Sequence, residues 1–159
     1  MTDIDILISE VGPRDGLQMA KSIMSTADKK RWITDAHAAG LREIEVCSFV
    51  PPKLVPGMAD ADEITRFSKT LTGLHVAVLA PNYRGAEAAM AAGADKITVP
   101  ISVSAPHNRA NVNKTPEESI AEIARICALR DSLPEGQRPA IEGGLSTVWG
   151  CTIAGPVAQ

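Results

Sequence analysis

Residues 4–18 have the sequence IDILISEVGPRDGLQ, in which a run of apolar residues ends in a charged turn. The run at 4–11 is short and rich in β-branched residues, which is typical of a buried strand. Glu10 closes this run, and the turn after it holds Arg14 and Asp15 between Gly12 and Gly16. Because β-α enzymes place their working groups at the carboxyl ends of strands, this turn is the first candidate site.

The same order of strand, loop and helix recurs along the chain. Ser25 and Thr115 each begin a capping-box pattern, and Asn82 is a further N-cap residue. Gly40 and Gly93 stand where helices end in a left-handed residue. Further strands are predicted near 42–47, 75–79, 95–100 and 139–147, with helices over 25–40, 60–70, 83–92 and 115–129. Strands that alternate with helices indicate a parallel α/β sheet.

The spacing of the strands limits the choice of fold. Their starts near 4, 42, 75, 95 and 139 give about 34 residues per unit, so eight units would need about 270 residues, the usual size of a (β/α)8 barrel. This chain of 159 residues supplies about four and a half units. It is therefore either a complete five-stranded doubly wound domain or the N-terminal piece of a longer barrel, with a fifth helix expected at GPVAQ. Periodicity does not choose between the two.

Composition excludes several classes of function. A net charge of −3 argues against nucleic-acid binding, which needs a basic field, and the five aromatic residues are too few for base stacking. No window approaches the ~18 apolar residues that span a membrane. Three cysteines without C-x-x-C spacing argue against a disulfide framework and a structural zinc site. Together with the acidic N-terminus, this predicts a cytoplasmic protein.

Arg14 and Asp15 are the residues whose chemistry is most informative. An arginine can polarise a substrate oxygen, and a neighbouring carboxylate can bind a hard metal ion. The alternative is an ordinary tight turn in which the two side chains are solvated or paired with each other. Their place in a loop after a strand favours a function.

The motif EVGPRDGLQ at 10–18 resembles the opening motif of 3-hydroxy-3-methylglutaryl-CoA lyases. A wider group of metal-dependent barrel enzymes shares only R-D-G-x-Q. Further resemblances follow in order at 44–56, 81–93, 111–113 and 150–155. They cover essentially the whole chain but about half of the family's length. The resemblance therefore implies an incomplete TIM barrel, in which residues 1–159 form the N-terminal part of a single catalytic domain.

The resemblance also implies a reaction and a set of site residues. The family cleaves a branched 3-hydroxyacyl-CoA into acetyl-CoA and a ketoacid by a retro-Claisen reaction with Mg²⁺ or Mn²⁺, a step of leucine degradation. Asp15 would be a metal ligand, and Arg14 would stabilise the enolate on the thioester oxygen. The residues expected around the acyl group are Gln18, Glu45 and Asn111, with Glu10 nearby. The expected partners are an acyl-CoA substrate and further copies of the chain in a homo-oligomer.

Some family features are absent from residues 1–159. The family takes its other metal ligands from a His-x-His and a later Asn, and it has a mobile loop with an acid-acting Cys. We therefore expect this chain alone to be inactive. Gly144 stands where the family often has Tyr, and Ala105 where it often has Glu, which predicts a roomier acyl pocket.

Two other interpretations stay open. One is a related barrel enzyme that runs condensation or carboxyl transfer, and the other is a non-catalytic half-barrel scaffold. His37, His75 and His107 are expected to be surface or packing residues, although His107 lies in a loop at the functional end.

Overall fold

The computed structural model describes residues 6–158 and contains one five-stranded sheet with all strands parallel. The strand order in the sheet follows the chain. The strands are β1 (Ser9–Glu10), β2 (Glu43–Ser48), β3 (His75–Leu79), β4 (Lys96–Ser102) and β5 (Ala140–Ser146). The helices are α1 (Thr26–Ala38), α2 (Ala61–Ser68), α3 (Tyr83–Ala92), α4 (Ala105–Val112) and α5 (Pro116–Asp131). The predicted alternation of strands and helices is confirmed.

The predicted helix ends have the expected cap geometry. The Ser25 hydroxyl accepts a hydrogen bond from the Asp28 amide at 3.1 Å, and Asn82 accepts one from the Gly85 amide at 2.9 Å. Thr115 forms a complete capping box at the start of α5. Gly93 ends α3 with φ of +87°, a left-handed conformation that glycine adopts without strain.

Helices α1, α2, α3 and α5 pack on one face of the sheet, which we call the helix face. Ile33 of α1, Ile64 of α2, Ala89 of α3 and Ile126 of α5 share a single buried core with strand residues such as Val78. A doubly wound sheet would have helices on both faces. The one-sided packing is that of a barrel wall, so the structure favours an incomplete TIM barrel.

The opposite face, which we call the inner face, is polar. Because strand side chains alternate, Glu43 and Glu45 lie on it while Ile44 and Val46 enter the core. Lys96 of β4 bridges Glu43 at 2.6 Å and Glu142 of β5 at 3.3 Å across this face. A charged inner face is suited to polar ligands.

Three segments differ from the sequence prediction. The first strand pairs only over Ser9–Glu10; residues 4 and 5 of the predicted strand lie outside the described residues. The segment expected to be a loop before α5 contains α4, which begins after Ser104 and has Pro106 in its first turn. The predicted fifth helix is wrong over the described residues, because Gly155–Pro156 pairs with Gly150–Cys151 as a short antiparallel ladder. Across residues 6–158, no helix is long and apolar enough to cross a membrane.

Candidate active site

The turn that follows β1 is a π-helical turn over Gly12–Gly16. The Val11 carbonyl accepts hydrogen bonds from the amides of Arg14, at 3.1 Å, and Asp15, at 2.7 Å. A Cβ on Gly12 would lie 2.7 Å from Glu10 Oε1 and 2.9 Å from the Trp32 ring, so this position has room only for glycine. The tight turn places Arg14 and Asp15 at the carboxyl end of the sheet.

The guanidinium of Arg14 lies between two carboxylates. Its Nε donates to Glu45 Oε2 at 2.6 Å, and its Nη1 donates to Asp15 Oδ1 at 2.8 Å. The side chains of Arg14 and Glu45 are 17% and 5% exposed, whereas that of Asp15 is 62% exposed. Glu45 therefore fixes Arg14 from within the sheet, and Asp15 faces solvent. The structure brings these three predicted site residues together.

Burial governs the electrostatics of Glu45. Loss of hydration raises the pKa of the Glu45 carboxyl above its ordinary value, and the charge and hydrogen bond of Arg14 only partly offset this effect. The nearby charge of Lys96 also opposes this rise in the pKa of Glu45. Glu45 is therefore a carboxylate that depends on Arg14 to stay ionised, which couples the two residues energetically.

Gln18 contacts the carboxyl end of β2, the strand that carries Glu45. Its Oε1 accepts a hydrogen bond from the Ser48 hydroxyl at 3.0 Å, and Ser48 is fully buried at the end of β2. Sequence reasoning missed Ser48, although its place at the carboxyl end of a predicted strand was a usable signal. The hydrogen bond from Ser48 therefore orients the Gln18 side chain.

The other two predicted binding residues are not brought to Arg14. Glu10 pairs in register with Ile44, a core residue, so it lies on the helix face, where its Oε1 accepts from the Gly12 amide at 2.6 Å. Glu10 therefore contacts the turn at Gly12–Gly16 and not the Arg14 guanidinium. Asn111 is exposed on α4, and within residues 6–158 no hydrogen bond joins it to Arg14 or Glu45.

A second polar group lies at the ends of β4 and β5. Ser102 Oγ is 2.8 Å from His107 Nδ1, and the Ser104 hydroxyl donates to Cys151 Sγ at 3.1 Å. The Ile153 and Ala154 amides also donate to Cys151 Sγ, each at 3.3 Å. The Ser104 bond, with help from these amides and against the effect of burial, lowers the pKa of Cys151. Sequence reasoning singled out none of these contacts.

The donor chemistry of Asp15 fits one ligand of a hard cation. Its carboxylate is exposed and pairs with Arg14 through one oxygen, which leaves the other oxygen open to a ligand such as Mg²⁺ or Mn²⁺. Within the part of the chain that the structure describes, no group of three or more His, Cys, Asp or Glu side chains could hold a metal ion. The described residues thus offer Asp15 as one candidate ligand and do not form a full coordination shell.

Comparisons with known proteins agree with this geometry. The HMGL-like family model matches residues 5–143. The mitochondrial hydroxymethylglutaryl-CoA lyase of Arabidopsis thaliana is 39% identical over 96% of this chain and 32% of its own length. The hydroxymethylglutaryl-CoA lyase of Bacillus subtilis is 37% identical over 92% of this chain and 48% of its own length.

Solved structures give the same result. The B. subtilis HMG-CoA lyase structure matches with a TM-score of 0.87 and 36% identity, covering 96% of this chain and 50% of that one. An HMG-CoA lyase from Acinetobacter baumannii, solved with coenzyme A and 3-methylmalate, matches with a TM-score of 0.86 and 30% identity over 96% of this chain and 48% of that one. The chain spans about half the length of these structures, so its sheet is a partial TIM barrel. The chain belongs to the HMGL-like family, whose relatives named above are lyases.

Proposed function

We propose that this chain carries the thioester-binding part of a lyase that cleaves 3-hydroxy-3-methylglutaryl-CoA, or a similar branched 3-hydroxyacyl-CoA, into acetyl-CoA and a ketoacid. The observation that carries the proposal is the Arg14 guanidinium, held between buried Glu45 and exposed Asp15 at the carboxyl end of the sheet. The named relatives and the coenzyme A complex of one of them support it.

Arg14 has the capacity to bind a substrate oxygen in this position. A guanidinium carries five N–H groups, and the pairs with Glu45 and Asp15 use one at Nε and one at Nη1. The remaining donors are available to the thioester oxygen. Cleavage of the carbon–carbon bond places negative charge on that oxygen as the enolate forms. A fixed positive charge stabilises the enolate more than the ground state, which is the condition for catalysis.

Asp15 is the residue of this chain that would hold a divalent Mg²⁺ or Mn²⁺ ion. When bound, such an ion acidifies the tertiary hydroxyl of the substrate. The ion pair of Asp15 with Arg14 is largely exposed and therefore weak, so the carboxylate can turn one oxygen to a cation without unfolding the turn. Gln18, fixed by Ser48, and Glu45 would line the acyl group. Glu10 acts on the turn instead, and a role for Asn111 stays a prediction.

The remaining proposals concern the whole protein. We place residues 1–159 in the N-terminal part of a single catalytic domain and expect the chain alone not to cleave its substrate, because it provides one metal ligand. A role in leucine degradation, a homo-oligomeric state and a cytoplasmic location stay predictions; several relatives are named as mitochondrial.

Calorimetric titration of the 159-residue chain with an acyl-CoA tests the binding proposal. We expect binding that Arg14→Met weakens at least about ten-fold, since a hydrogen bond to a charged group contributes about 1.5–3 kcal/mol. Arg31→Met is the matched control, because Arg31 is an exposed arginine that pairs with Asp28 of its own helix. Equal affinities for the wild type and Arg14→Met would refute the proposal.

One alternative is a non-catalytic half-barrel that associates with itself. Self-association without acyl-CoA binding would support that alternative. The other alternative, an enzyme that runs condensation or carboxyl transfer, would need the same Arg14 and Asp15. Formation of a condensed or carboxylated product from acetyl-CoA would identify that enzyme.

A further inference from the structure

A cleft opens on the helix face between α2, α3 and the loop that follows β2. Its volume is about 500 Å³, within the range of about 300–1,000 Å³ that is typical of small-molecule sites. The loop contributes residues 49–53, and the two helices contribute residues from their first turns. The cleft is separate from the candidate active site, because it is not lined by Arg14, Asp15, Gln18 or Glu45.

The floor of the cleft is apolar and consists of core residues. Met58 and Ala61 are buried in the core, and Phe49 packs against it. A Cβ on Gly85 would lie 2.5 Å from the Phe49 carbonyl oxygen, so the backbone of α3 and that of the loop after β2 are in contact. This contact joins the two walls of the cleft. The floor therefore offers a preformed apolar surface to a ligand.

The rim of the cleft carries two cations. Lys53 of the loop and Arg84 of the first turn of α3 are both exposed. Across residues 6–158, no ion pair involves either of them. The acid at the rim, Asp62, is paired with Arg66 of its own helix at 2.9 Å. The rim therefore has a local positive charge, although the whole chain has a net charge of −3.

An apolar floor below a cationic rim is complementary to an amphipathic anion. An aliphatic chain on Phe49 and Met58 would leave water, which is favourable in proportion to the apolar area buried. A carboxylate at the rim would accept charge-assisted hydrogen bonds from the Lys53 ammonium and the Arg84 guanidinium. A neutral molecule with the same chain would gain only the first contribution. The two contributions together define the class of ligand.

We propose that this cleft is a binding site for an aliphatic carboxylate, with the chain on the apolar floor and the carboxylate between Lys53 and Arg84. The site lies on the helix face, whereas the Arg14–Glu45 pair lies at the inner face. The inference goes beyond the proposed function and does not depend on it.

Titration of the ¹⁵N-labelled 159-residue chain with octanoate, followed by amide NMR, tests the site. We expect octanoate to shift the amide signals of residues 49–53 and 82–88. Octanamide has the same chain without the charge and should bind about ten-fold more weakly, the combined effect of two exposed charge pairs. Acetate has the charge without the chain and should cause no saturable shift. High salt should weaken the binding of octanoate and not that of octanamide.

Substitutions separate the charge of the rim from the apolar floor. The double variant Lys53→Gln/Arg84→Gln should weaken octanoate binding about ten-fold and leave octanamide binding unchanged. Ala88→Trp should abolish the binding of both, because Ala88 lines the cleft from the exposed surface of α3 and a large ring there fills it. Arg31→Gln, which removes an exposed arginine outside the cleft, is the matched control and should change neither affinity. Circular dichroism checks that each variant is folded.

The outcomes separate this inference from the proposed function. Shifts at 49–53 and 82–88 that persist in Arg14→Met and disappear in Ala88→Trp support the inference, whether or not the chain binds an acyl-CoA. Equal affinities for octanoate and octanamide would overturn it, and so would the absence of octanoate binding. Shifts confined to Arg14 and Glu45 and lost in Arg14→Met would also overturn it, because the carboxylate would then lie at the candidate active site.

Discussion

Removal of the Arg14 side chain should destabilise the protein in a pH-dependent manner. In Arg14→Met, the Glu45 carboxyl stays buried, with only 5% of its side chain exposed, and loses its partner at 2.6 Å. Breaking a fully buried ion pair costs about 3–5 kcal/mol, and since Arg14 is 17% exposed we expect about 2–3 kcal/mol at about pH 8. That is a large part of the stability of a small domain.

The direction of the pH dependence follows from Glu45. Burial already raises its pKa above the value in the unfolded chain, and loss of Arg14 removes the main opposing effect, so the pKa rises further. A raised carboxyl pKa contributes stability that is present below the unfolded pKa and is lost as pH rises through the folded pKa. The difference in the free energy of unfolding between wild type and Arg14→Met should therefore be small near pH 5 and should grow towards pH 8.

Urea denaturation followed by circular dichroism at both pH values measures this difference. Arg31→Met, which breaks an exposed pair, should cost less than about 1 kcal/mol at either pH. The double variant Arg14→Met/Glu45→Gln should recover most of the loss at high pH, because the buried charge is gone. An equal loss at the two pH values, or no loss at the higher one, would refute the role assigned to the Arg14–Glu45 pair.

Two further predictions concern the turn and the cysteines. Gly12→Ala should destabilise the protein by about 1–3 kcal/mol in thermal or urea unfolding, because its Cβ would meet Glu10 and Trp32. Gly16→Ala is the control and should be neutral or slightly stabilising, because a Cβ there meets nothing within 4 Å. A larger loss of stability in Gly16→Ala than in Gly12→Ala would contradict the packing described. Burial raises the pKa of the Cys47 thiol to about 12, so a thiol reagent near neutral pH should modify Cys47 only when the protein unfolds. Peptide mass spectrometry measures this modification, and modification of Cys47 in the folded protein would contradict the prediction.

The sequence predicted the parts of the fold that depend on local chemistry. Helix caps at Ser25, Asn82 and Thr115 need only neighbouring residues, and all three are confirmed. Helix α4 was missed because Pro106 and polar residues around it are typical of a loop; in the structure, buried Asn108 ties α4 to the Ser102 amide and the Ser119 hydroxyl. Such contacts between distant residues leave no periodic signal.

The same limit applies to the candidate site. Arg14 and Asp15 were predicted from the motif at 10–18 and Glu45 from the resemblance at 44–56, and the structure places Arg14 in contact with both carboxylates. Glu10 was expected near the acyl group because it lies in the same motif, but strand alternation turns it to the helix face. Register and face depend on the paired strand, so they could not be obtained from motif spacing alone.

The most direct measurement of the lyase proposal is acetyl-CoA release by a chimera. In this chimera, the present chain replaces the matched segment of the B. subtilis hydroxymethylglutaryl-CoA lyase, to which it is 37% identical. We predict release of acetyl-CoA from hydroxymethylglutaryl-CoA, which Arg14→Met reduces at least about 100-fold, as expected for a residue that stabilises the transition state. A folded chimera that binds the thioester without cleaving it, or one that cleaves equally well without Arg14, would contradict the proposal.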